Sequence, residues 1–322
     1  MSPGPGALAR VVVVSWNGAH LLPTALDSLE RQTVRDRLDV VVVDNGSTDG
    51  TAELLATRYP DVRRLASASN LGFAGGAALG MADARCHVVL LNNDAAFAPD
   101  AVEHLLRALE APGVGATTAR VLLAGTDPVL VNSTGNVVTR TGNGADRDWR
   151  APLGSESTDP DVFGFYGGAA ALRREMLDEV GGFDPWLFLY YEDTDLSWRM
   201  RAAGWTVRYV PEAVAHHEHA ASSGTDTPVF RYHNTRNSLV VATRHAPLRV
   251  AAISAARQSA GWLRAARRGG WASPDAVARR RGLTAHLRRL PRTLGERRRM
   301  WHAARVGRRV VARYIGRDAP TS

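Results

Sequence analysis

Two asparagines and an aspartate placed directly after an apolar run are the residues of this chain best suited to hold a hard cation. Residues 88–94 read VVLLNND. A short continuous apolar run suits a buried parallel strand. Polar side chains at its carboxyl end then stand in the crevice where open α/β sheets bind ligands. Asp94 is therefore a candidate ligand for Mg²⁺ or Mn²⁺, which favour oxygen donors. Mg²⁺ needs only one or two protein carboxylates when substrate phosphates complete its shell. The same three residues can also simply make a turn.

Three further clusters carry chemistry. Asp44 follows the apolar run 40–43, where it can accept the imide N–H of a uracil or thymine ring or open a helix-initiating turn with Ser47 and Thr48. Residues 183–191, FDPWLFLYY, deliver Glu192 and Asp193 to the start of a helix, a position that the helix dipole also stabilises for acids. Asp195 and Arg199, four apart, can pair on that helix's surface. Residues 213–223 hold His216, His217 and His219. Either His217 or His219 can complete a mixed oxygen and nitrogen site, or the run is a surface cluster. Residues 70–76, NLGFAGG, allow backbone to approach phosphate or sugar closely. They lack the G-x-G-x-x-G spacing, so no nicotinamide cofactor is read.

The elements that must position these groups follow from periodicity. Residues 11–14 form a strand, and Leu22, Ala25, Leu26 and Leu29 line one face of the helix after it. Residues 40–43 form a second strand, followed by a helix over about 49–58, which completes a βαβ unit. A helix reaching about residue 84 precedes the 88–91 strand. Another spans 100–110 with Val102, Leu105, Leu106 and Leu109 on one face. Residues 121–140 read as a strand pair turning at 125–128, and 142–160 as a loop. Residues 162–174 read as a strand with a Gly-Gly approach point and then a short helix ending at Gly181. A helix over about 194–203 stops at Gly204, and 205–210 is a strand.

Composition separates body from tail. All 40 basic side chains counted as Lys+Arg are Arg, and they are unevenly placed. Residues 1–243 carry a net charge of −9, residues 244–322 one of +17. A basic tail on an acidic body implies an anionic partner, membrane lipid or nucleic acid. The tail reads as Ala/Arg/Leu helices over 247–261 and 274–316, the second broken near Pro291, with Val306, Val310 and Tyr314 as an apolar stripe. Arg on one face with Trp262, Trp271 and Trp301 at the boundary would let it lie in a membrane interface. The alternative is a helical cap packed on the body. The lone cysteine, Cys86, leaves no intrachain disulfide and suits a reducing cytosol. Neither a signal peptide near Met1 nor a spanning apolar run is expected.

Taken in order, VVVVSWNG, VVVDNGSTDGT, NLGFAGG, LLNNDA, GGFDPWLFLYYEDTDLSWRMRAAGW, the His motif and RYHNTRN resemble the glycosyltransferase family 2 enzymes of the GT-A fold, especially the bacterial rhamnosyltransferase-like group. The resemblance covers residues 10–241 and implies an α/β GT-A fold, a mixed, mostly parallel sheet flanked by helices. On this reading 1–243 is the catalytic domain, with a nucleotide-sugar half over about 10–125 and an acceptor half over 126–243. Residues 244–322 are a helical Arg-rich extension.

The resemblance also implies roles. Asp94 and His217 would bind Mg²⁺ or Mn²⁺, with His219 the second register. Ser15, Asn17, Asp44, Asn45, Asn70, Gly72, Asn92, Asn93, Gly168 and Arg236 would bind the donor. Asp193 would be the catalytic base, and Trp186, Tyr191 and Glu192 would contact the acceptor. Only the last acid of the family's Asp-x-Asp motif is present. The implied reaction is inverting transfer of a sugar, rhamnose from dTDP-rhamnose by resemblance, from a dTDP- or UDP-linked donor to a lipid-linked or polysaccharide acceptor in cell-envelope synthesis. The enzyme would be cytoplasmic and peripheral at the inner face of the membrane. A competing class is an inactive nucleotide-sensing protein that grips nucleic acid through its tail. A nucleotidyltransferase would carry an early basic phosphate loop, which VVVVSWNGAH lacks.

Overall fold

The computed structural model describes residues 7–218 and 227–318. Parallel strands β1 (Ala9–Ser15), β2 (Leu38–Asp44), β3 (Arg63–Ala66) and β4 (His87–Asn92) make one half of the sheet. The other half holds β5 (Ala95–Phe97), β6 (Val114–Leu123), β7 (Val131–Ser133), β10 (Ala169–Leu172) and β11 (Thr206–His217). The order is β3-β2-β1-β4-β10-β6-β11-β5, with β7 on β6. Strand β10 runs antiparallel to both β4 and β6, so the sheet is mixed. A second ribbon pairs β8 (Asn136–Val138) with β9 (Gly144–Asp146).

The continuous apolar runs have a direct cause. Successive strand residues point to opposite faces, and both faces are covered. Val11, Val13, Val40, Val42, Val89 and Leu91 enter one core with α1 (Leu22–Glu30) and α4 (Ala101–Leu109). Val12, Val41, Val43, Val88 and Leu90 enter the other, together with α3 (Gly72–Met81) and α6 (Glu192–Ala202). Helices α2 (Thr51–Arg58) and α5 (Arg174–Val180) complete this part.

Several boundaries differ from the sequence expectation. RRLA at β3 begins with two arginines and alternates only in burial, half-buried with exposed, so no apolar run betrays it. The hairpin expected over 121–140 is built from β6 and β7, while Asn136–Val138 turns away to pair with Gly144–Asp146 inside the expected loop. The strand in 162–174 shrinks to Ala169–Leu172. His217 falls inside β11, which continues past a register shift between Val210 and Val214. His219 lies outside the described residues.

The basic extension packs on the body. Helix α7 (Pro228–His245) passes through the boundary at 243/244, and α8 (Leu248–Gly269) and α9 (Pro274–Ala303) fold back along it. Pro291 does not break α9, because it sits on the exposed side, where water can satisfy the carbonyl that its ring displaces. The helix ends at Ala303, so Val306, Val310 and Tyr314 share no helical stripe; Val306 and Tyr314 pack on the core while Val310 is exposed. Trp301 is no boundary residue either, since its ring meets the buried Trp198 edge-on at 6.5 Å. Among the described residues no helix is long and apolar enough to cross a membrane.

One buried ion cluster ties extension to body. Arg244 of α7 reaches Asp195 of α6 at 2.6 Å, Asp184 at 3.0 Å and Glu296 of α9 at 2.8 Å. Asp195 is fully buried rather than on the helix surface, and it also meets Arg199 at 2.9 Å and His245 at 2.8 Å. Burial works to raise its pKa, but Arg244, Arg199 and His245 outweigh burial and hold the carboxyl well below its ordinary value. For His245 burial dominates and lowers the imidazole to about 4, leaving it neutral beside Asp195. Removing one member of a buried pair strands the other's charge. Asp195→Ala is expected to cost about 3–5 kcal/mol in denaturant unfolding. The wild-type contribution should be complete above the unfolded carboxyl's pKa of about 4 and be lost as pH falls through the lower folded value.

Candidate active site

Strand pairing creates the first half of the site. Ala95 stands opposite His217 where β5 meets β11 antiparallel, and the Glu218 amide donates to the Asp94 carbonyl at 2.9 Å. This register brings two side chains 123 positions apart in sequence together, Asp94 Oδ1 lying 3.1 Å from His217 Nε2. Both are buried. On the other side of the ring, His217 Nδ1 lies 2.7 Å from Asn132 Oδ1 and 3.4 Å from the Tyr166 hydroxyl. With Nδ1–H donating to the Asn132 oxygen, the Nε2 lone pair faces a carboxylate oxygen. Nε2 and the Asp94 oxygen then form a nitrogen–oxygen pair suited to a divalent cation, and a carbonyl oxygen on the far ring nitrogen is the usual support of a metal-binding histidine.

The second half is the start of α6. Asp193 accepts from the Thr194 amide at 2.6 Å through one oxygen and from the Gly167 amide at 3.3 Å through the other. Burial raises its pKa, and the amide bonds offset only part of this. Glu192 is buried with its Oε2 unpartnered, and burial together with Asp193 pushes its pKa well up. An unpartnered buried carboxyl oxygen is a group that a substrate hydroxyl can satisfy.

Three residues absent from the sequence reading sit between these halves. Asp146 of β9 is raised to about 7 by burial and by Asp193, with a Ser133 hydrogen bond opposing. The Tyr166 hydroxyl is raised well above its ordinary value by burial, then by Asp146, Asp94 and Asp193. Asn132 orients His217. Its setting, VN after the apolar PVL, repeats on a smaller scale the polar break of LLNND and was the available signal. Asp146 had none, being one acid in an aperiodic stretch.

Of the expected donor residues, Ser15, Asp44, Asn45, Asn92 and Asn93 lie at the carboxyl ends of β1, β2 and β4, whereas Arg236 is on α7 and bonds to the carbonyls of Trp186 and Leu187. Ser15 and Asn93 approach at 3.4 Å, with Gly18 so close that a Cβ would meet both. Asn17, at φ +51°, accepts from the Thr48 amide at 2.8 Å and so joins two loops. Asp44 accepts from the Ser47 amide at 3.0 Å and from Arg64 at 2.6 Å; burial would raise it, but Ser47 and Arg64 prevail and its pKa is lowered. Asn45 bridges Asn70 and the Gly72 carbonyl, each at 3.1 Å. The backbone brought close at Gly72 is the protein's own: at φ +70°, a Cβ there would lie 2.1 Å from the Phe188 oxygen. Gly168 likewise leaves room for the Asn92 side chain.

Arg236 and its neighbour Asn237 hold the acceptor-side loop from beneath. Arg236 Nη2 donates to the Leu187 carbonyl at 2.6 Å and the Trp186 carbonyl at 3.1 Å. Asn237 Nδ2 reaches the carbonyls of Leu187, Leu189 and Tyr190 at 2.9, 2.9 and 2.8 Å. These bonds fix a loop in which Phe188, Tyr190 and Tyr191 have φ of +64°, +68° and +73°, each costing about 1–3 kcal/mol in a non-glycine residue. Trp186 carries the guanidinium groups of Arg236 at 4.2 Å and Arg289 at 3.9 Å, and Tyr191 is buried with its hydroxyl raised to about 12 by that burial. Asn237, unnoticed from sequence, is signalled only by its place in RYHNTRN.

Comparisons with known proteins agree with this architecture. The model of the family described as "Glycosyl transferase family 2" matches residues 10–181. A relative from Mycobacterium tuberculosis, N-acetylglucosaminyl-diphospho-decaprenol L-rhamnosyltransferase, is 31% identical over 272 residues, 74% of this chain and 87% of that protein. The O-antigen chain rhamnosyltransferase of Salmonella typhimurium is 26% identical, covering 65% of this chain and 66% of that protein. Among solved structures, a Pyrobaculum calidifontis mannosyltransferase in complex with GDP-Man and Mn²⁺ superposes with a TM-score of 0.55 at 20% identity, covering 90% of this chain and 88% of that one. The chain belongs to glycosyl transferase family 2. It is a glycosyltransferase of the rhamnosyltransferase-like group, on a GT-A fold.

If Asn237 holds the loop that presents Glu192 and Asp193, Asn237→Ala should leave three carbonyls without this donor. A stability loss of about 1–3 kcal/mol is expected in thermal or denaturant unfolding, with turnover reduced and nucleotide affinity unchanged.

Proposed function

We propose that this glycosyltransferase acts with inversion and a divalent cation, transferring a sugar from a nucleotide diphosphate to a hydroxyl of a lipid-linked or polysaccharide acceptor in cell-envelope synthesis. The observation that carries the reading is the pairing of Asp94 with His217 at 3.1 Å together with a half-buried Asp193 whose carboxyl is raised. Rhamnose from dTDP-rhamnose is the leading donor, because curated relatives are rhamnosyltransferases. Asp44 suits thymine and uracil equally.

Asp94 and His217 would hold Mg²⁺ or Mn²⁺, which supplies counter-charge to the departing nucleotide diphosphate. Asn132 fixes the His217 ring for that task. Asp193 takes the proton of the acceptor hydroxyl as it attacks the anomeric carbon, and Glu192, with its free oxygen, orients that hydroxyl. The Gly167 and Thr194 amides keep the Asp193 carboxylate aimed. The extension serves as a peripheral contact with an anionic membrane: Trp271, Leu287 and Leu294 are exposed among its arginines. Since α9 is bonded to α7 through Arg244 and Arg297, a chain cut at residue 243 is no test of that contact.

A panel of nucleotide sugars, scored for hydrolysis and for transfer, tests the reading. Turnover with one of them that disappears in excess EDTA and returns with Mn²⁺ or Mg²⁺ is expected; full activity in EDTA rules out the cation.

Asp193→Asn keeps the side chain's size and one of the two amide contacts but cannot accept the proton. Turnover should fall by about 10²–10⁴-fold with donor affinity little changed. In the wild type, activity should be lost on acidification at a pH above that of an ordinary aspartate, because burial raises this base. Near-normal turnover of the variant would transfer the role to another acid.

A further inference from the structure

We propose that the groove between α7 and α9 binds the diphosphate and adjoining prenyl chain of a lipid-linked acceptor; this rests on the reading that the acceptor is lipid-linked. The groove encloses a cavity of about 780 Å³, with Pro228, Val229 and Tyr232 on one wall and Arg280, Arg281 and Arg288 on the other. Such a volume lies within the usual range for small-molecule sites, roughly 300–1,000 Å³. Its lining is amphiphilic: apolar side chains from both helices, Val229 and Val277 among them, lie beside the arginines of α9.

The groove's arginines differ from those of α9 that are held by partners, whereas Arg298 and Arg299, also exposed, lie outside the groove. Arg279 is paired with Asp275, Arg289 and Arg292 with Glu296, and Arg297 with two backbone carbonyls. Arg280, Arg281 and Arg288 are exposed and have no carboxylate partner among the described residues. Arg281 and Arg288 are seven apart and so lie on one helical face. Guanidinium groups bind phosphate oxygens through parallel N–H donors. A diphosphate with an apolar chain matches both halves of this lining, whereas a bare anion uses only one.

The groove also opens beside the acceptor side of the site. His233, which lines it, stacks on Phe188 at 5.0 Å, and Phe230 meets Tyr190 at 5.2 Å. Phe188 and Tyr190 belong to the loop that ends at Asp193. A sugar attached to a diphosphate held at Arg281 and Arg288 would thus extend toward the base.

Farnesyl diphosphate is the probe, measured by calorimetry in EDTA so that no cation-bridged diphosphate forms elsewhere, with farnesol, inorganic diphosphate and phosphatidylglycerol vesicles alongside. The full-length protein should bind farnesyl diphosphate more tightly than either fragment, and R281Q/R288Q, two exposed changes, should weaken it at least tenfold without lowering Tm. Unchanged affinity in R281Q/R288Q would overturn the proposal. So would equal binding of farnesol or inorganic diphosphate, or binding to the vesicles with none to farnesyl diphosphate. Absence of glycosyl transfer from every nucleotide sugar would instead defeat the functional reading while leaving this binding result standing.

Discussion

The active site depends on a strained loop being held from below. Residues 188, 190 and 191 adopt left-handed backbone in side chains that disfavour it, so the loop has no reason of its own to present Glu192 and Asp193 where it does. Helix α7 supplies that reason. Arg236 and Asn237 donate to four consecutive or nearly consecutive carbonyls, and Arg244 grips Asp184 before the loop and Asp195 after it. Each of these donors comes from one rigid helix, so Asp193 is placed by a scaffold rather than by its own segment.

The opposite side of the site is placed by strand register. Because Ala95 pairs with His217, Asp94 and the histidine ring converge without further support from the loops between them. A one-residue slip would turn His217 to the other face of the sheet. Asn132 and Tyr166 then settle the ring's orientation. The glycines of NLGFAGG belong to the same logic: Gly72 lets α3 and the Phe188 carbonyl come close, and thereby docks the 183–191 loop on the first half of the sheet.

Much of this was legible from the residues. The apolar runs gave β1, β2 and β4, and the polar residues ending them gave Asp44 and Asp94. What could not be read was long-range partnership. Asp146 and Asn132 matter only because of what folds against them, and RRLA at β3 is an edge strand too short and too charged to show an apolar run. Asp195 looked like half of a surface pair because spacing reveals Arg199 but not Arg244 or His245. The tail was read from charge as a separate arm. Its arginines are divided between internal ion pairs with the body and an outward face, a distinction that net charge does not make.

The stereochemistry of the transferred sugar tests the central claim most directly. On the proposed mechanism, with Asp193 as the one base and Asp94 and His217 as ligands of a cation on the other side, the hydroxyl would attack opposite the departing diphosphate. NMR of the product formed from a single defined nucleotide sugar should therefore show the anomeric configuration inverted relative to the donor. A product with the donor's configuration retained would contradict a single displacement with Asp193 as base.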